Sequence, residues 1–185
     1  AFCAAYPEID IALQVLNRDG VVARLRENRD DLYIMSMPPA DIEVERRTFL
    51  PNPLVVIAAK SHRLASRRSI ALGTLAKERF ILREVGSGTR MAGDAHFAAL
   101  GFEPNVRLEL GSNEAIKHAV AAGLGLAVLS VHALASRAAP DIVTVLNVRG
   151  FPVHLNWFIL YPKGKQLSPL AAEFLARAGP ASKQE

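Results

Sequence analysis

Apolar and polar positions fall in alternating blocks along this chain, and the blocks predict alternating strands and helices. Ile9 to Leu16 is an apolar run closed by Asn17-Arg18-Asp19-Gly20, a pattern that predicts a strand and then a turn. Val21 to Asn28 sets Val21, Val22 and Leu25 on one side, which predicts a short helix. Leu32 to Met35 predicts a second strand, stopped by Ser36-Met37-Pro38-Pro39. Leu54 to Ala59 is apolar throughout, as in a strand buried on both faces. Phe80 to Leu82 predicts another strand, and Thr89 to Leu100 a helix with Gly101 where a left-handed cap belongs. Val106 to Leu110 alternates as a strand. Asn113 to Ala122 reads as a helix, with Ser112 or Asn113 as N-cap and Gly123 as its stop. Leu126 to Leu129 predicts a strand and His132 to Ala138 a short helix. Strands are predicted at Ile142 to Val148 and Val153 to Tyr161. The last helix starts at Ser168 as N-cap with Pro169 in its first position.

This order predicts an α/β fold of parallel sheets with helices on both faces. It also predicts two lobes. The polar and basic segment His62 to Lys77 is suited to cross from one to the other, and Asn147 to Pro152 to cross back. Lobe one would then combine residues 1–70 with 152–185, and lobe two would hold 71–151.

Composition narrows the function more than the fold. A net charge of +4 on 185 residues, with acids interspersed among the bases, is too small a basis for nucleic-acid binding. Cys3 is the only cysteine, so no intramolecular disulfide exists and a reducing cytoplasmic setting is expected. No apolar run approaches the roughly 20 residues of a membrane span, and no secretory pattern opens the chain. The five histidines show no metal-ligand spacing, and Gly86-Ser87-Gly88 is one residue too compact for a nucleophile elbow. Neither catalytic residues nor cofactors nor metals are expected.

One stretch carries chemistry. In FILREVGSGTR, Phe80 to Arg90, small residues let backbone amides converge where a helix opens, a natural anion cradle. Ser87, Gly88 and Thr89 offer amides and hydroxyls, and Arg83 and Arg90 offer cations suited to phosphate or carboxylate. The lysine of a nucleotide-binding P-loop is absent. Two further turns lie at strand ends, where α/β folds collect ligands. Asn113 sits in the first, Gly111 to Glu114, and Ser36 in the second, Ser36 to Pro39. An ordinary helix cap and an ordinary strand stop remain alternatives for these two.

FILREVGSGTR and GFEPNVRLELGSNEAIKHAVAAGLGLAVLS resemble the effector-binding domain of LysR-type transcriptional regulators. NRDDLYIMSMPP, FLPNPLVVIAAKSHRLA and NWFILYPKGKQLSPLAAEFL resemble its CbbR subgroup, which controls Calvin-cycle carbon-fixation operons. The resemblance covers nearly the whole chain. It implies two Rossmann-like lobes of the type II periplasmic-binding-protein kind, joined by two crossover segments. It implies an anionic or phosphorylated effector in the interlobe cleft, such as ribulose bisphosphate, phosphoenolpyruvate, NADPH or ATP. Ser36, Arg83, Ser87, Gly88, Thr89, Arg90 and Asn113 are the expected contacts. It further implies a homodimer or homotetramer that reaches operator DNA through an N-terminal helix-turn-helix. That element and the first strand of lobe one are missing from this sequence. A periplasmic solute-binding protein of the same architecture is the alternative, and an upstream signal peptide would mark it.

Overall fold

The structure, a computed structural model, describes residues 2–134 and 142–178. The order opens with helix α1 (Phe2–Ala5), helix α2 (Arg18–Arg26), strand β1 (Tyr33–Met35), strand β2 (Val44–Pro51) and strand β3 (Leu54–Ala59). A 3-10 segment, Leu72–Lys77, leads to β4 (Arg79–Arg83), α3 (Gly88–Ala99), β5 (Asn105–Leu110), α4 (Asn113–Ala121) and β6 (Ala127–Ser130). A 3-10 turn at Val131–Ala133 follows, then β7 (Val143–Val145), β8 (Asn156–Pro162) and α5 (Pro169–Arg177). The chain divides into two compact units, residues 1–51 with 156–185, and residues 52–155.

In the first unit β8 is the central strand, antiparallel to β1 on one side and β2 on the other. Val22 and Leu25 of α2 pack on Tyr33, Met35 and Leu160. Asn17 caps α2, its side chain accepting from the Gly20 amide at 3.0 Å. The segment 17–20, expected as a turn, is therefore the cap and first turn of a helix.

The sheet edge is held by charge. Arg24 donates to both carboxylate oxygens of Asp30, at 2.7 and 2.5 Å, and Tyr33 donates to the Arg24 carbonyl at 3.0 Å. The hydrogen bonds from Arg24 hold the Asp30 carboxyl below its ordinary range. The native state thus binds that proton less tightly than the unfolded chain. The pair contributes fully above the unfolded value near 4 and is lost as pH falls through the lower native value. Asp30→Asn is expected to flatten this acid limb, read from urea unfolding between about pH 2 and pH 5, without changing stability's slope above it.

The second unit is built on β3, whose six residues are all buried. It lies between β6 and β7, antiparallel to both, with Val56 opposite Val128 and Ala58 opposite Thr144. β4 runs parallel to β5 and bridges on its other side to Leu126. Residues of β4 alternate between two cores. Ile81 joins Val55, Ile57, Ile116, Val120, Ala127 and Leu129 beneath α4. Phe80 faces the other way, edge-on to Phe97 of α3 at 5.7 Å between ring centres.

Three expectations need correction, and one strand, β2, was not foreseen. Ile9 to Leu16 forms no strand; no strand among the described residues hydrogen-bonds to it, and Leu13 and Val15 are 76% and 84% exposed. An apolar run becomes a strand only where a neighbouring backbone takes up its N–H and C=O groups. The sheets are mixed rather than parallel, with β4 and β5 the parallel pair among mostly antiparallel ladders. β2 was not legible, because VERRTFLP shows no apolar alternation; as an edge strand it leaves its charges in solvent, with Arg46 over the Phe158 ring. Residues 52–70, expected in lobe one, belong to the second unit, since both partners of β3 lie there. Within the predicted helix from His132 to Ala138, residues 135–138 lie outside the described residues.

Candidate functional site

The parallel pairing of β4 and β5 sets two strand-to-helix turns side by side. β4 ends at Arg83 and β5 at Leu110, and these two residues are register partners. From each end the chain turns into a helix, α3 after the first and α4 after the second. Two helix N-termini, each with unsatisfied amides and a partial positive charge, therefore lie at one edge of the unit.

The first turn is Glu84 to Ser87. Gly86 has φ +89°, a left-handed conformation that a side chain would strain. The Ser87 amide donates to the Glu84 carbonyl at 3.2 Å and closes the turn. Ser87 is the N-cap of α3 and is buried, its hydroxyl facing the Arg90 amide at 3.5 Å. The helix thus opens at Gly88, one residue before the expected Thr89, because the serine hydroxyl supplies the cap. In the second turn Ser112, rather than Asn113, is the cap of α4. That leaves the Asn113 side chain available, and its Oδ1 accepts from Arg83 Nη1 at 2.8 Å.

Six of the seven expected site residues are thereby brought together. Arg83, Ser87, Gly88, Thr89, Arg90 and Asn113 share this edge of the second unit. Arg90 Nη1 donates to the Arg83 carbonyl at 2.9 Å, and Thr89 lines a water-sized cavity of about 10 Å³ with Arg83, Arg90 and Phe97. Ser36 belongs to the first unit, half-buried in the bend that follows β1.

Acidic residues at the same edge were missed by the sequence reading. Glu84 takes a bidentate pair from Arg83, at 2.8 Å from Nε and 3.0 Å from Nη2. Arg90 donates to Asp94 at 2.6 Å and to Glu109 at 2.8 Å. Partial burial opposes the Arg90 charge, but the hydrogen bonds to Asp94 and Glu109 outweigh it and raise the guanidinium above its ordinary value. Two guanidiniums thus face three carboxylates. The Arg90–Asp94 spacing of four was a readable helical signal. Glu109 was not readable, since only the β4–β5 register sets it opposite the turn.

The chain is similar to several known proteins. The family described as LysR substrate binding domain matches residues 1–181. An HTH-type transcriptional activator, CmpR, of Synechocystis sp. is 46% identical over 174 residues, which is 94% of this chain and 57% of that protein. A RuBisCO operon transcriptional regulator of Acidithiobacillus ferrooxidans is 41% identical, over 94% of this chain and 56% of its own length. The chain thus spans little more than half the length of these relatives. The regulatory domain of Synechocystis CcmR, solved in complex with 2-PG, is 44% identical. It superposes with a TM-score of 0.94 over 99% of this chain and 88% of that one. With a family match across nearly all of its length and an α/β architecture to fit, this chain belongs to the LysR substrate-binding domain family.

Proposed function

We propose that the chain is the effector-sensing part of a LysR-type regulator of carbon-fixation genes. Its ligand is an anionic or phosphorylated metabolite held at the edge formed by Arg83 to Arg90 and Asn113. The observation that carries this is the pair of helix N-termini at the ends of β4 and β5, tied by the Arg83–Asn113 hydrogen bond. Amides at two neighbouring helix starts, with the dipoles of both helices behind them, favour negative charge whatever the rest of the ligand is. The likeness to a domain solved with 2-PG and to a RuBisCO operon regulator supports the same choice.

In this reading Gly88 and Thr89 offer backbone N–H groups, Thr89 adds a hydroxyl, and Ser87 holds the helix start in place. Arg83 supplies charge and Asn113 orients it. The domain acts as a sensor rather than an enzyme. A ligand biases the protein between states only through its differential affinity for them. Assembly as a homodimer or homotetramer, operator contact through another part of the protein, and work in the cytoplasm complete the proposal.

The test is titration of the full chain with 2-PG and inorganic phosphate, followed by the unfolding midpoint. Ligand is expected to raise the midpoint, and Thr89→Ala to weaken binding about tenfold. Arg83→Ala is expected to weaken it more, because it also leaves Glu84 as an uncompensated negative charge beside the ligand. Ser36→Ala tests the residue of the first unit separately. Unchanged affinity in both Thr89→Ala and Arg83→Ala would refute the assignment.

A further inference from the structure

Both arginines at the candidate site are committed before any ligand arrives. Arg83 uses Nε and Nη2 on Glu84 and Nη1 on Asn113. Its side chain is 13% exposed and that of Glu84 is 23%, so the pair is largely shielded from water. Glu84 is also hemmed in. A side chain at Gly111 would begin 4.0 Å from the Glu84 carboxyl group, so the carboxylate lies against the turn that starts α4. Arg90 is bound in turn by Asp94, Glu109 and the Arg83 carbonyl.

We propose that Glu84 is an internal competitor of the ligand. Its carboxylate occupies the guanidinium fork that an incoming anion must take over, and so sets how much negative charge a ligand needs in order to bind. This rests on the reading that the Arg83 to Arg90 turn binds an anion. A ligand monocarboxylate that replaces Glu84 exchanges one bidentate carboxylate pair for another and gains nothing at Arg83. A phosphate dianion brings twice the charge to the same fork and to the amides of Gly88 and Thr89, and the exchange becomes favourable. The discrimination lies in the displaced residue as much as in the groups that touch the ligand.

The experiment compares the full chain with Glu84→Gln, which keeps the shape of the side chain and removes its charge. Inorganic phosphate, 2-PG and acetate are the probes, followed by the shift of the unfolding midpoint with concentration. Unsubstituted protein is expected to respond to phosphate and not to acetate. Glu84→Gln is expected to bind phosphate about tenfold more tightly and to acquire acetate binding. Adding Arg83→Ala to it abolishes the gain. Glu84→Asp, one carbon shorter and still charged, loosens the fork and is expected to tighten phosphate binding by a smaller factor, roughly threefold. This second variant gives a reading even if Glu84→Gln fails to fold. Equal or weaker phosphate binding in the foldable Glu84 variants overturns the proposal and leaves the anion site standing, with Glu84 as a residue that positions Arg83. Absence of phosphate and 2-PG binding in every protein, unsubstituted and variant, overturns the anion site itself and the proposal with it.

Discussion

Phe97→Ala is expected to cost about 4 kcal/mol of stability, the largest effect of any single side chain considered. Phe97 is 1% exposed and stands at the centre of an aromatic cluster. Its ring meets Phe80 at 5.7 Å, Phe102 at 5.1 Å and Phe151 at 5.8 Å between centres. Truncation removes the buried ring and leaves a cavity that three neighbouring elements are too rigid to fill. The same ring seats α3 on β4, next to Leu82, Gly93 and Val128. Its loss therefore also frees the helix start that carries Ser87 to Arg90, and anion affinity is expected to fall with stability. Denaturant unfolding and phosphate titration on one variant check both. Phe97→Leu, which refills most of the volume, should recover more than half of the loss. Met91→Ala, on the exposed side of the same helix, should change stability by less than about 0.5 kcal/mol. A loss under about 1 kcal/mol for Phe97→Ala would show that the cluster does not hold α3.

Gly125→Ala is expected to cost about 3 kcal/mol, and the reason is space rather than backbone conformation. A Cβ at Gly125 would stand 2.6 Å from the Arg79 carbonyl oxygen and 3.4 Å from Ile81. That oxygen is fixed, since it accepts from the Leu126 amide at 2.8 Å while Ile81 donates to the Leu126 carbonyl at 2.8 Å. The methyl group fits only if the segment leading into β6 moves off β4, breaking these bonds. Gly123 gives the contrast. Its φ of +78° disfavours any side chain, but a Cβ there meets nothing within 4 Å. Gly123→Ala should therefore cost only about 1 kcal/mol, the strain of a left-handed residue. For a domain of this size, these losses correspond to midpoint shifts near 9 °C and 3 °C. Because β4 ends at Arg83, Gly125→Ala should also weaken anion binding, whereas Gly123→Ala should not.

Much of the architecture was readable because burial imposes a period. Leu54 to Ala59 matches β3 residue for residue, since a strand covered on both faces has to be apolar throughout. Gly101 and Ser168 marked helix ends correctly, because a left-handed stop and an N-cap are local demands that a single residue type meets. Ile9 to Leu16 failed for the complementary reason. Its pattern is that of a strand, but pairing is a property of two segments and no single segment reveals it.

The candidate site divides along the same line. The family, the glycine-rich turn at Gly86 to Gly88 and the cations beside it were legible in the sequence, since each depends on residues close together in the chain, whereas the cap at Ser87 and the helix start at Gly88 were not. Only the tertiary structure placed Asn113 on Arg83, across thirty residues, and Glu109 on Arg90. It also showed that the two arginines are already matched by three carboxylates. Charge counted along a sequence is a sum, whereas the field at a site depends on distance. At under 3 Å a single carboxylate can cancel the cation that composition alone offers to a ligand.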